Sequence, residues 1–130
     1  MAALSDYAEK LLLDFLMTTG TATRPTNWYV ALYTGAPSDS GGGTEVSGSG
    51  YARKSVTFSA AASPGGTTSN TNEVSFTASG GNYGTVTHMG IFDASSSGNL
   101  LWHGALTASK TVADGDTLTF AVGNIDLTMA

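Results

Sequence analysis

The chain has 130 residues and a mass of 13.2 kDa, enough for one domain with a real core and no more. It holds no cysteine, which excludes disulfides, thiolate metal sites and cysteine nucleophiles. Ten acids against five bases give a net charge of -5, a poor match to a nucleic-acid backbone. With 17 Gly, 15 Ser and 19 Thr but only 12% charged residues, the composition describes an acidic, turn-rich, mainly β chain.

The N-terminal segment carries Asp6 and Glu9 where a targeting peptide needs positive charge, and its apolar run Leu11 to Leu13 stops at Asp14. No stretch approaches the roughly 20 apolar residues that span a bilayer, so neither a leader nor a membrane contact is expected. This segment instead predicts a helix over residues 5–18. Asp6 and Glu9 have capping-box spacing, and Ala8, Leu11, Leu12, Phe15 and Leu16 recur at helical intervals ahead of a Gly20 stop. That face is expected to pack on the domain's own sheet, with docking on a partner subunit as the alternative.

From Pro25 onward the pattern is β, giving one domain over 1–130 with a β region at 26–130. Trp28 to Thr34 is aromatic and β-branched, a strong strand signal. Alternation puts Trp28, Val30 and Leu32 on one face and Tyr29, Ala31 and Tyr33 on the other, so both faces need cover. Long loops are expected at 35–50, where six glycines cluster, and at 60–72, built around Pro64-Gly65-Gly66. Further strands are read at 51–59, 73–78, 85–92, 100–106, 110–112, 117–122 and 125–129, with Asp114-Gly115 as a hairpin turn. One N-terminal α-helix followed by about eight evenly spaced strands predicts an antiparallel β-sandwich or jelly roll.

Signals for chemistry are weak. Gly48-Ser49-Gly50 lacks the strand-to-helix context of a nucleophile elbow, and Gly41 to Gly43 lacks the Lys and Ser/Thr of a phosphate loop. His88 and His103 lie on strands that neighbour pairing could bring together, with Asp93 as a third ligand, but no histidine spacing supports a metal site. Asp114-Gly115-Asp116 lacks the later ligands of a calcium loop. No enzyme activity, metal or cofactor is expected.

Several segments together resemble a group of small tailed-phage structural proteins. They are Leu4 to Leu12, Trp28 to Thr34, Gly50-Tyr51-Ala52-Arg53-Lys54, Gly90-Ile91-Phe92-Asp93-Ala94, Gly98 to Leu101, and Val112 to Phe120, covering nearly the whole chain in order. Such proteins are often labelled tail fibre proteins, and others of similar build are capsid cement or decoration proteins. The resemblance implies a non-enzymatic virion component made in the host bacterial cytoplasm. Its favoured form is a decoration protein, a homotrimer bound to the major capsid protein on the outer capsid surface. A tail or fibre component (adaptor or tip) is the alternative, and a carbohydrate-binding jelly roll using Trp28 and Trp102 is a lesser one. The acidic balance suits an outer face, since packaged DNA would repel it on an inner one. Tyr29 and Tyr33, on the second face of the first long strand, are expected to face a subunit or helix contact rather than water, with a fully internal double layer as the alternative, because tyrosine buries apolar area and keeps a polar end. Tyr51 and Arg53 are added from the matching Gly50 to Lys54 segment.

Overall fold

The computed structural model of the chain describes residues 2–129. In order it contains β1 (Ala2–Leu4), α1 (Asp6–Met17), β2 (Tyr29–Gly35), β3 (Thr44–Glu45), β4 (Lys54–Ser55), β5 (Thr67–Ser69), β6 (Val74–Thr77), β7 (Gly84–Phe92), β8 (Leu100–Val112), β9 (Thr117–Phe120) and β10 (Asp126–Thr128). Every pairing is antiparallel. The main sheet runs β1-β8-β7-β2-β3, with β4 sharing the β2 edge with β3. Two short ladders, β6–β9 and β5–β10, stand apart from it. The chain is thus mainly β with a single N-terminal helix, as its composition and periodicity predict.

The alternation of β2 organises the interior. Val30 and Leu32 join Val86, Met89 and Ile91 of the main sheet with Val74, Phe76, Leu118 and Leu127 of the short ladders, and Ile125 just before β10, in one continuous cluster. The ladders therefore cover one face of the main sheet, and Trp28 and Trp102 pack against the same cluster. On the reverse face Ala31 and Tyr33 form a second, smaller cluster with Phe92 and Leu100. The register explains the grouping, since Ala31 stands opposite Gly90 and Tyr29 opposite Phe92. A Cβ on Gly90 would lie 2.9 Å from Leu100 Cδ1 and 3.2 Å from the Tyr33 ring, so glycine is what lets that cluster close.

The short ladders are held by polar ties that account for much of the Ser and Thr content. Cross-strand hydroxyl pairs join Ser75 to Thr119 at 3.0 Å and Thr77 to Thr117 at 2.8 Å on the exposed side. Asn70, 2% exposed, donates to the carbonyls of Asn72 and Ala121 and accepts from the Ile125 N–H at 2.8 Å. It fastens the turn before β10 to the end of β5.

Five expectations need correction. Ser5 rather than Asp6 caps the helix: its Oγ accepts from the Ala8 N–H at 3.2 Å and donates to the Leu100 carbonyl. The helix ends at Met17, before Gly20, because Thr18 turns extended and its hydroxyl bonds back to the Asp14 carbonyl at 2.8 Å. The segments at 35–50 and 60–72 are not wholly loop, since β3 pairs with β2 and β5 with β10. Asp114-Gly115 is a turn but not a hairpin. It docks on residues 78–82 through Gly115 N–H to the Ala78 carbonyl (2.8 Å) and Asp114 N–H to Asn82 Oδ1 (2.8 Å), so β9 leaves β8 and pairs with β6.

The fifth correction concerns the helix face. Only Ala8 is buried and Leu11 and Leu12 are half-covered, while Phe15 and Leu16 are 68% and 67% exposed. Among the strands the helix packs chiefly against β1 and β8, and its first turn also bonds the Asp39 carbonyl, so it leaves the sheet edge instead of lying across it. The accessible surface of the whole chain, 7193 Å², exceeds the roughly 6,400 Å² of an average compact monomer of this mass.

Val30→Asp is expected to abolish folding, because an unpaired buried carboxylate costs about as much as the whole stability of a small domain. Far-ultraviolet circular dichroism of the purified variant checks this. Asn70→Ala, which leaves the Ile125 N–H without its acceptor, is expected to cost about 2–3 kcal/mol in urea denaturation.

Candidate interaction surfaces

The most elaborate polar constellation closes the reverse face of the main sheet. Glu45 is placed by β3, whose pairing sets it opposite Tyr33, and Arg53 precedes β4 on the same edge of β2. The guanidinium binds Glu45 through both carboxylate oxygens, Nε to Oε1 at 2.8 Å and Nη2 to Oε2 at 2.9 Å. Its Nη1 donates to the carbonyls of Ala94 and Ser97 at 3.1 and 2.8 Å, and its Cζ lies 3.6 Å from the centre of the Phe92 ring. Four of the five N–H groups are thereby engaged, in the planar fork geometry that lysine cannot reproduce.

Tyr51 completes the constellation. Its hydroxyl donates to Glu45 Oε1 at 2.9 Å and accepts from the Leu32 N–H at 3.0 Å. Its ring stacks on Phe76 at 6.0 Å, so one side chain spans the main core and the charged pair. The turn that receives Arg53 is itself fixed, as Asp93 accepts from the backbone N–H and side-chain amide of Asn99 at 2.7 and 2.9 Å. Glu45, Arg53, Tyr51 and the β7–β8 turn act as one clamp.

The electrostatics follow from that packing. Burial raises the Glu45 carboxyl, but the bonds from Arg53 and Tyr51 and the guanidinium charge outweigh it and hold it below its ordinary 4.5. The Tyr33 phenol is pushed up to about 12, first by burial and then by the Glu45 charge, with Arg53 opposing. Burial likewise raises Tyr51.

The four expected contact residues are thus placed. Tyr33 is 3% exposed and the Arg53 side chain 8% exposed; with half-buried Tyr51 they converge on Glu45, inside the protomer. Tyr29 stands apart, half-buried opposite Phe92 and Ser55. Sequence reasoning misses Glu45, which lies in the segment expected to be a long loop. The available signal was that it is the only charge between Asp39 and Arg53. His88 and His103 lie two register steps apart with separate partners, Thr87 Oγ1 at 2.8 Å and Asp39 Oδ1 at 2.7 Å. Trp28 and Trp102 serve the core.

Two concave surfaces flank these elements. One, about 500 Å³, lies between Ser5–Tyr7, Asp39–Gly42 and the Tyr33–Phe92–Leu100 cluster. The other, about 640 Å³, opens along β8 over Met89, Leu106, Leu118 and Phe120. Among the described residues no helix is long and apolar enough to cross a membrane.

Because the Glu45 carboxyl sits below its unfolded value, its contribution is complete above about pH 4.5 and is lost as pH falls through the folded value. Glu45→Gln is therefore expected to be less stable than the parent by about 1.5–3 kcal/mol at pH 7. The gap should narrow as pH falls below about 4.5 and close once pH has passed the folded value, as measured by denaturation at a series of pH values.

The clamp joins segments that carry the resemblance noted above, Gly50 to Lys54 and Gly90 to Ala94 with Gly98 to Leu101. No curated protein matches the chain. A family model described as podophage GP4 fiber I protein gp80 matches residues 3–128, nearly the entire chain. The chain belongs to this family of phage structural proteins.

Proposed function

We propose that the chain is a non-enzymatic structural subunit of the virion and works as a component of the tail fibre, as an adaptor or tip rather than a shaft. The single observation that carries this is the match of residues 3–128 to a fibre family. The fold supports the finer part. A shaft needs an extended repeat, whereas this chain packs β2, β7 and β8 between two clusters and has no repeating unit. The clamp fits a passive role, since its charged groups are engaged with one another and hold a surface rigid.

Head decoration is the second reading. The net charge of -5 and a single compact β domain suit a subunit that folds alone and then binds the outside of a shell, as a homotrimer on the major capsid protein. The two readings differ in stoichiometry. Quantitative mass spectrometry of purified particles is expected to find a few to a few tens of copies per virion for a fibre component. Hundreds of copies would instead establish head decoration, and absence from the particle would overturn both.

A further inference from the structure

The concave surface of about 500 Å³ between the start of α1 and the Tyr33–Phe92–Leu100 cluster has walls that are tied to one another. The Ser5 N–H donates to the Leu101 carbonyl and the Asp6 N–H to the Asp39 carbonyl, both at 2.9 Å, which fixes the helix start to β8 and to the turn at 38–41. That turn closes on itself, because Ser38 and Gly41 each donate an N–H to the other's carbonyl at 2.9 Å. Asp39 Oδ1 lies 2.7 Å from His103 Nε2, and Asn99 is held by its two bonds to Asp93. The cavity is therefore formed before anything enters it, and its size is that of a small-molecule site.

One group lining it has no role in the fold. Tyr33 is 3% exposed, yet among the described residues its hydroxyl has no hydrogen-bond partner. No buried side-chain oxygen of those residues lacks a partner, so the hydroxyl must be the part of Tyr33 that reaches the cavity. Burial is the first cause that pushes this phenol up to about 12, so it keeps its proton and can both donate and accept. Asn99 supplies a second open atom: its amide nitrogen is spent on Asp93, while its Oδ1 has no partner among the described residues. Buried Phe92 and Leu100 give the apolar floor, and the exposed carboxylates of Asp6 and Asp39 stand at the rim.

This lining selects the chemistry of a ligand by elimination. No Lys or Arg lines the cavity and two carboxylates do, so phosphate, sulfate and acidic ligands are repelled. The polar atom at the floor is a neutral phenol, which does not offset the cost of burying an ammonium. A wholly apolar ligand would cover the Tyr33 hydroxyl and the Asn99 oxygen without replacing their water. What satisfies every wall is a neutral molecule with one C–H face and an edge of several hydroxyl donors, whose bonds to carboxylates are the strong kind.

We propose that this cavity binds a neutral pyranose, with the C–H face of the sugar on Phe92 and Leu100 and its hydroxyl edge toward Tyr33, Asn99, Asp6 and Asp39. The site goes beyond the structural role, which requires no ligand, and it lies on the face of the main sheet opposite the core that Trp28 and Trp102 serve.

The test is nuclear magnetic resonance of the full chain with the methyl pyranosides of glucose, galactose, mannose and rhamnose, read by saturation transfer and by amide shifts. At least one is expected to receive saturation and to shift the amides of Tyr33, Phe92, Asn99 and Leu100, equally at low and high salt. Tyr33→Phe is expected to weaken that binding about tenfold with an unchanged urea midpoint, because the hydroxyl it removes makes no bond within the protein. Asp6→Asn is expected to weaken it by a similar factor. The inference is overturned if none of the four sugars receives saturation, if the shifted amides lie elsewhere, or if Tyr33→Phe binds like the parent. A lower urea midpoint for Tyr33→Phe would also overturn it, by showing that the hydroxyl serves the fold. Salt-sensitive binding of n-butylammonium at these amides, in place of the sugars, would assign the cavity to a basic side chain of another protein. Particle copy number is measured separately, so a virion protein that binds no sugar would sink this inference and leave the structural role standing.

Discussion

β2 is apolar on both faces, and that constraint shapes everything around it. A strand with Val30 and Leu32 on one side and Ala31 and Tyr33 on the other cannot leave either side to water. The first side is met by the two short ladders, whose inward residues complete the main core. The second side has no sheet to meet it. It is closed by a thin cover, the β7–β8 turn and the segments that bring Glu45 and Arg53 to the edge of β2.

The Glu45–Arg53 clamp supplies what that thin cover lacks. A bidentate ion pair with the guanidinium over Phe92 fixes β3, the approach to β4 and the β7–β8 turn at one point. Tyr51 ties the same point to the backbone of β2 and to Phe76 in the main core. Among the described residues no buried side-chain nitrogen or oxygen lacks a partner, which is the condition under which such a buried polar network adds rigidity. The domain is thereby closed on both faces of β2, while α1 is the element whose apolar surface its own domain does not cover.

Much of this fold could be read from residue order alone. β2, β6, β7 and β9 show period-2 patterns strong enough to place within a residue or two, and the two-faced character of β2 follows directly from alternation. β3 and β5 could not be read, because strands of two or three residues in Gly- and Thr-rich stretches have no periodicity of their own and exist only through their partners. The course after Asp114-Gly115 was hidden for a similar reason: a turn signal says that the chain reverses, not which strand receives it. Residue type pointed to interface chemistry for Tyr33, and the resembling Gly50 to Lys54 segment did so for Tyr51 and Arg53. The chemistry is there, but Glu45 turns it inward. The helix was legible as a helix, yet periodicity shows only that a face is apolar and not what lies against it.

The most direct measurement is hydrogen–deuterium exchange of the full chain over a range of protein concentrations, read for β2. If the protomer is complete around β2, the Val30 to Tyr33 amides are protected at every concentration. β2 amides that exchange freely in the dilute protein would contradict it.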